Sequence, residues 1–83
     1  MSHMFIVYIL KNNFSGKHYI GSTNNLERRL AEHNRGQTKS TKNGCWSVIY
    51  KEELSDSKKA EKREREIKSY KGGNAFKKLF MRE

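Results

Sequence analysis

The feature that most constrains this 83-residue chain is one short stretch, Phe5-Ile6-Val7-Tyr8-Ile9-Leu10, which is β-branched or aromatic on both of its alternating faces. A strand with one face in water alternates apolar and polar residues, so this pattern predicts a strand covered on both sides, central in its sheet. The longest apolar run, Met4 to Leu10, has seven residues, and a bilayer span needs roughly 20, so a transmembrane helix is excluded. Hydrophobic residues make up 34% of the chain against 33% charged, so whatever covers the strand must do so with narrow apolar stripes, and the core is thin. This length holds one small domain. Met1, Ser2 and His3 read as an expression-vector remnant, leaving residues 4–83 as a single domain.

The remaining elements lie between glycines. Turn residues from Lys11 to Lys17 lead into His18-Tyr19-Ile20-Gly21-Ser22, so the first two runs are expected to pair as a hairpin with Phe14 covering its tip. Asn24 is placed to cap a helix with Glu27 three residues on, and the helix is expected to end at Gly36. Trp46 to Leu54 reads as a third strand with an exposed acidic end. Ser55-Asp56-Ser57 offers N-caps for a charged helix to about Tyr70, and Asn74 caps a short final helix. The order is ββαβαα: an α/β (α+β) domain with a small three-stranded central sheet flanked by helices.

Lys and Arg number 18 against 9 Asp and Glu, a net charge of +9. That surface attracts polyanions, nucleic acid first and anionic membrane second. The single cysteine, Cys45, permits no internal disulfide and no cysteine-based metal site, which points to a reducing, cytoplasmic setting. Helical spacing puts Leu26, Arg29, Leu30 and His33 in one sector, with Arg28 and Glu32 elsewhere, and puts Glu64 between Ala60, Ile67 and the aliphatic part of Lys71. Inward-facing Arg and Glu either form a structural ion pair or line a cleft. Taken singly, each candidate has a plain reading: an edge charge, a boundary histidine, strand tyrosines at Tyr8 and Tyr19, and a solvated basic loop carrying Arg35, Lys39 and Lys42.

Taken together they resemble the GIY-YIG nuclease superfamily. Val7-Tyr8-Ile9-Leu10 stands at the first motif and Tyr19-Ile20-Gly21 is the second unaltered. The run Asn25 to His33 is similar to the helix bearing the family's catalytic arginine, here Arg29, with His33 one turn later. The run Ala60 to Lys68 is similar to the helix whose glutamate, here Glu64, binds the divalent metal. The close resemblance is to short standalone bacterial members related to the nuclease domain of the excinuclease C subunit, which implies a GIY-YIG endonuclease fold and an association with DNA repair. Two positions depart from the pattern. Ile6 replaces the first glycine, and Ser22 stands where excinuclease-like members carry a lysine, a loss of cationic charge expected to lower activity.

The resemblance implies a metal-dependent DNA endonuclease. Glu64 would hold one Mg²⁺ (or Mn²⁺), and Arg29 would clamp the phosphoryl oxygens. Tyr8 or Tyr19 would orient or deprotonate the water, provided nearby cations pull a phenol pKa down from about 10. His33 is the competing base, and the resemblance favours a tyrosine. Arg35, Lys39 and Lys42 are the expected DNA contacts. With no room for a DNA-reading domain, sequence specificity would come from DNA shape, as in branched or damaged DNA, from a partner protein, or not at all. The alternatives are a non-catalytic nucleic-acid-binding module with a degenerate site, and a protein-interaction domain.

Overall fold

A computed structural model describes residues 4–35 and 45–81. The elements run β1 (Phe5–Asn12), β2 (His18–Thr23), α1 (Leu26–Asn34), β3 (Trp46–Leu54), α2 (Ser57–Ser69) and α3 (Asn74–Phe80). The three strands form one antiparallel sheet in the order β2-β1-β3, so the doubly apolar strand is central, as its pattern requires. Its two faces feed two clusters. Val7 and Ile9 pack with Ala60, Ile67 and Phe76 on the side covered by α2 and α3. Tyr8 and Leu10 pack with Trp46, Leu26 and Leu30 on the side covered by α1. Among the described residues no helix is long and apolar enough to cross a membrane.

Local chemistry sets the turns. At the hairpin, the Asn12 side chain accepts from the backbone N–H groups of Phe14 and Ser15, each at 2.9 Å. Gly16, at φ +75°, lets the chain return in the left-handed conformation. This turn leaves Phe14 83% exposed, so it does not cover the tip. The α1 cap is Asn25, not Asn24. Its side chain accepts from Arg28 N–H at 3.1 Å, and Thr23 Oγ1 accepts from the Asn25 N–H, the reciprocal bond that Glu27 was expected to make.

Asp56 caps α2 through the Lys59 N–H at 2.8 Å. After α2, Lys71 (φ +51°) and Gly72 (φ +75°) reverse the chain. Lys71 is therefore exposed and leaves the α2 stripe. Gly73, without a side-chain bond, sits at the α3 N-cap in place of Asn74. The end of β3 is only partly solvated, because Glu52 turns to α2 and pairs with Arg63 at 2.8 Å.

Candidate active site

Register brings the two tyrosine motifs together. Tyr8 lies opposite Gly21 and Leu10 opposite Tyr19 in the β1–β2 ladder, so both phenols project on the α1 side. Their rings lie 6.3 Å apart, nearly parallel at 27°. Gly21 makes this possible: a Cβ there would stand 2.7 Å from Tyr8 Oη and 3.0 Å from Tyr19 Cε1.

The spacing of α1 brings Arg29 and His33 onto the same side. Asn34 anchors the end of that helix by accepting from the Trp46 backbone N–H at 2.6 Å and donating to the Trp46 carbonyl at 3.3 Å. His33 is fully buried, and its Nε2 lies 3.0 Å from Tyr8 Oη. Its ring is 4.5 Å from that of Tyr19. Burial, then Arg29, pushes the imidazole below its usual value, against the opposing pull of Glu32.

Burial drives the Tyr8 phenol up to about 12, despite the lowering influence of Arg29. Arg29 alone therefore does not meet the condition for an acidified phenol at Tyr8, because desolvation outweighs that cation. The Arg29 guanidinium is held firmly charged, first by Glu32 and then by the phenols. Glu32, expected to point elsewhere, bonds Arg29 at 2.9 Å; its three-residue spacing is the sign that could have found it. Arg28 is exposed.

Glu64 belongs to the other face. On β2, Ile20 packs toward α2 and α3, and Ser22 shares that side. The Ser22 hydroxyl donates to Glu64 Oε1 at 2.8 Å. Lys68 donates to Oε2 at 2.7 Å, one helical turn on. Ser22, Glu61, Glu64 and Arg65 line a cleft of about 310 Å³. Since β2 is an edge strand, the two halves of the site sit on either side of it, near enough that Glu64 contributes to the rise of the Tyr8 pKa.

The position that looked like a missing cation is thus a hydrogen-bond donor to the carboxylate. Lys68 could have been read from its i,i+4 spacing; Ser22, 42 residues away in sequence, could not. Arg35 is exposed at the end of α1, while Lys39 and Lys42 lie outside the described residues.

These donors fit a hard divalent cation. Mg²⁺ takes one or two carboxylates and keeps several waters. The cleft offers Glu64 with Glu61 beside it, and no group of three or more His, Cys, Asp or Glu converges among the described residues. Comparison with curated proteins and with solved structures gives no significant match. The family model of the GIY-YIG catalytic domain, however, matches residues 4–77. Because that match runs from the first strand into α3 and takes in every element that carries a side chain of the site, the chain belongs to the GIY-YIG catalytic domain family.

Proposed function

We propose that this chain is a divalent-metal-dependent endonuclease that hydrolyses DNA phosphodiester bonds. GIY-YIG domains are generally endonucleases that use divalent metals, which supports the reaction class. The observation that carries the reading is the Tyr8–His33 contact of 3.0 Å beside a permanently charged Arg29, with an oriented carboxylate across the edge of β2. Glu64, with water and substrate oxygens, would hold the cation, which supplies charge neutralisation at the phosphate when bound. Arg29, about a third exposed, offers its planar fork to the phosphoryl oxygens, and Glu32 fixes the angle of that fork.

The base is a pair. His33 and Tyr8 are both buried, and Tyr8 Oη, which lies against Gly21 and the partly exposed Arg29, is the route by which substrate water would reach His33 Nε2. As the water oxygen bonds to phosphorus and the bond to the 3′ oxygen breaks, the water would give its proton to Tyr8 Oη and the phenol proton would pass to His33 Nε2, while the departing 3′ oxygen takes its proton from solvent. No free phenolate is formed, and the high phenol pKa is no obstacle. Tyr19 stacks on Tyr8 and lies tilted against His33, so it packs on both rings.

The test is a panel of branched, flapped, single-stranded and duplex DNAs with and without Mg²⁺, using the wild type and Glu64→Gln. Cleavage that needs both the metal and the carboxylate is expected, together with a Mg²⁺-dependent rise in melting temperature that Glu64→Gln abolishes. Retained Mg²⁺-dependent cleavage in Glu64→Gln would overturn the assignment. Binding without cleavage by the wild type would leave a non-catalytic nucleic-acid-binding module.

A further inference from the structure

A second cleft, of about 180 Å³, lies at the opposite end of β2 from Ser22 and is lined by Lys11, His18, Phe76, Lys77, Phe80 and Met81. Its rings form a cluster. His18 meets Phe76 edge-on at 5.1 Å and lies 5.7 Å from Phe80 at 38°, and the two phenylalanines cross at 80°. Phe76 is buried and belongs to the core. His18, both lysines and Met81 are exposed and Phe80 is half-buried, so the outer wall of the cleft faces solvent. Partial desolvation against the two phenylalanines, then Lys11, lowers the imidazole pKa and so favours the neutral ring. Among the described residues no acidic side chain lines the cleft. Flat rings between two cations suit a ligand with a π-face and flanking negative charge, the combination that single-stranded nucleic acid presents.

Its placement ties it to the site. His18, Ile20 and Ser22 alternate onto one face of the edge strand, with His18 against α3 and Ser22 against Glu64. Four residues of strand separate the ends by about 13 Å. A DNA strand with a phosphate at Glu64 could follow the edge of β2 to the cleft. From this arrangement we infer that the His18–Phe80 cleft is a stacking subsite for an unpaired nucleobase flanking the cleaved bond, with Lys11 and Lys77 on the adjoining phosphates. The inference deepens the nuclease reading and rests on it for the phosphate at Glu64: it makes the substrate a DNA with an unpaired nucleotide beside the scissile bond, such as a flap or branch. The binding claim itself can be measured without catalysis.

The experiment measures dissociation constants by fluorescence anisotropy in EDTA at fixed salt, for labelled oligothymidylate, an abasic strand of the same length and a blunt duplex. Stacking of a base on such rings contributes on the order of 5- to 100-fold in affinity. Oligothymidylate is therefore expected to bind more tightly than the abasic strand by that factor, and His18→Ala should erase the difference without weakening the abasic strand. Lys11→Glu with Lys77→Glu should weaken both strands alike. To separate loss of the ring from loss of fold, the His18 imidazole resonances of the wild type are followed by NMR during titration with thymidine 5′-monophosphate, and they should shift on binding. Equal affinity for the two strands, an intact preference in His18→Ala, or unmoved imidazole resonances would overturn the inference, as would self-association through the cleft that His18→Ala abolishes. Because no metal is present, an inactive enzyme could still pass this test. An active enzyme that fails it would lose the subsite and keep the nuclease assignment.

Discussion

Gly21→Ala isolates the geometric demand of the tyrosine motifs. The new methyl carbon would stand 2.7 Å from Tyr8 Oη and 2.9 Å from Tyr8 Cζ. Ordinary contact begins near 3.4 Å, so the phenol must retreat by roughly 0.7 Å, the difference between the two distances. Tyr8 is 1% exposed and packed among Leu10, Trp46 and Leu30, which leaves it little room to turn. Overpacking of this kind costs about 1–3 kcal/mol. Moving the hydroxyl by a similar distance from His33 would open the 3.0 Å contact past hydrogen-bonding range. Misplacement of a reacting group by about 1 Å costs on the order of 10²-fold in rate. Urea unfolding and single-turnover cleavage of the same preparation are the assays, with Gly16→Ala as the control. That position has open space around it but a φ of +75°, so its alanine should lose about 1 kcal/mol from backbone strain with no change in cleavage. Wild-type rate and stability in Gly21→Ala would refute the reasoning, because they would mean the phenol can move without disturbing its work.

Arg29→Ala should lower the cleavage rate by about 10²-fold or more, and Arg28→Ala far less, since only Arg29 shares the face of Tyr8 and His33; equal losses would make both arginines general phosphate contacts. With His33 as proton acceptor and its pKa lowered, the rate should level off from about pH 6.5 upward; a rise continuing toward pH 10 would point to an isolated phenol instead. The same shift makes stability fall in acid, because the unfolded chain takes up the proton near pH 6.5 and the folded chain resists it, a loss of up to about 1.4 kcal/mol per pH unit below that point. Urea titrations of wild type and His33→Asn between pH 5 and 7 should show the difference. Ile67→Ala should cost about 2–5 kcal/mol in urea unfolding, as Ile67 is fully buried against Val7 and Ile9.

The central strand, the hairpin and the order of elements were legible because each follows from local pattern: the two apolar faces of β1, the turn chemistry at Asn12 to Gly16, and the helical stripes of α1 and α2. Arg29 and His33 were legible for the same reason, as polar residues on a face that should be apolar. Details decided by competition between neighbours were not. Two adjacent asparagines could each cap α1, and Thr23 decided it by accepting the Asn25 N–H. Lys71 continued the α2 stripe on paper, but its positive φ ended the helix first. The direction of the Tyr8 pKa shift depends on burial set by residues from three elements, which no spacing along the chain discloses.

Ser22 shows how much a single residue's chemistry depends on its contacts. Against a pattern it is a lost cation, and the inference of weaker phosphate stabilisation follows. In the fold it donates to Glu64 Oε1 while Lys68 holds Oε2, so the carboxylate is oriented by a strand on one side and by its own helix on the other. The two bonds differ in kind. The Ser22 bond joins β2 to α2 and fixes where the carboxylate stands relative to Gly21 and the tyrosines. The Lys68 bond is a half-exposed i,i+4 ion pair, of the class that contributes only about 0.3–0.5 kcal/mol. Under the proposed metal-dependent reading, a cation entering the cleft would displace Lys68 from Oε2 at small cost while Ser22 keeps Glu64 in register. Cationic charge is still present at the site, carried by Lys68 on the helix in place of a lysine on the strand.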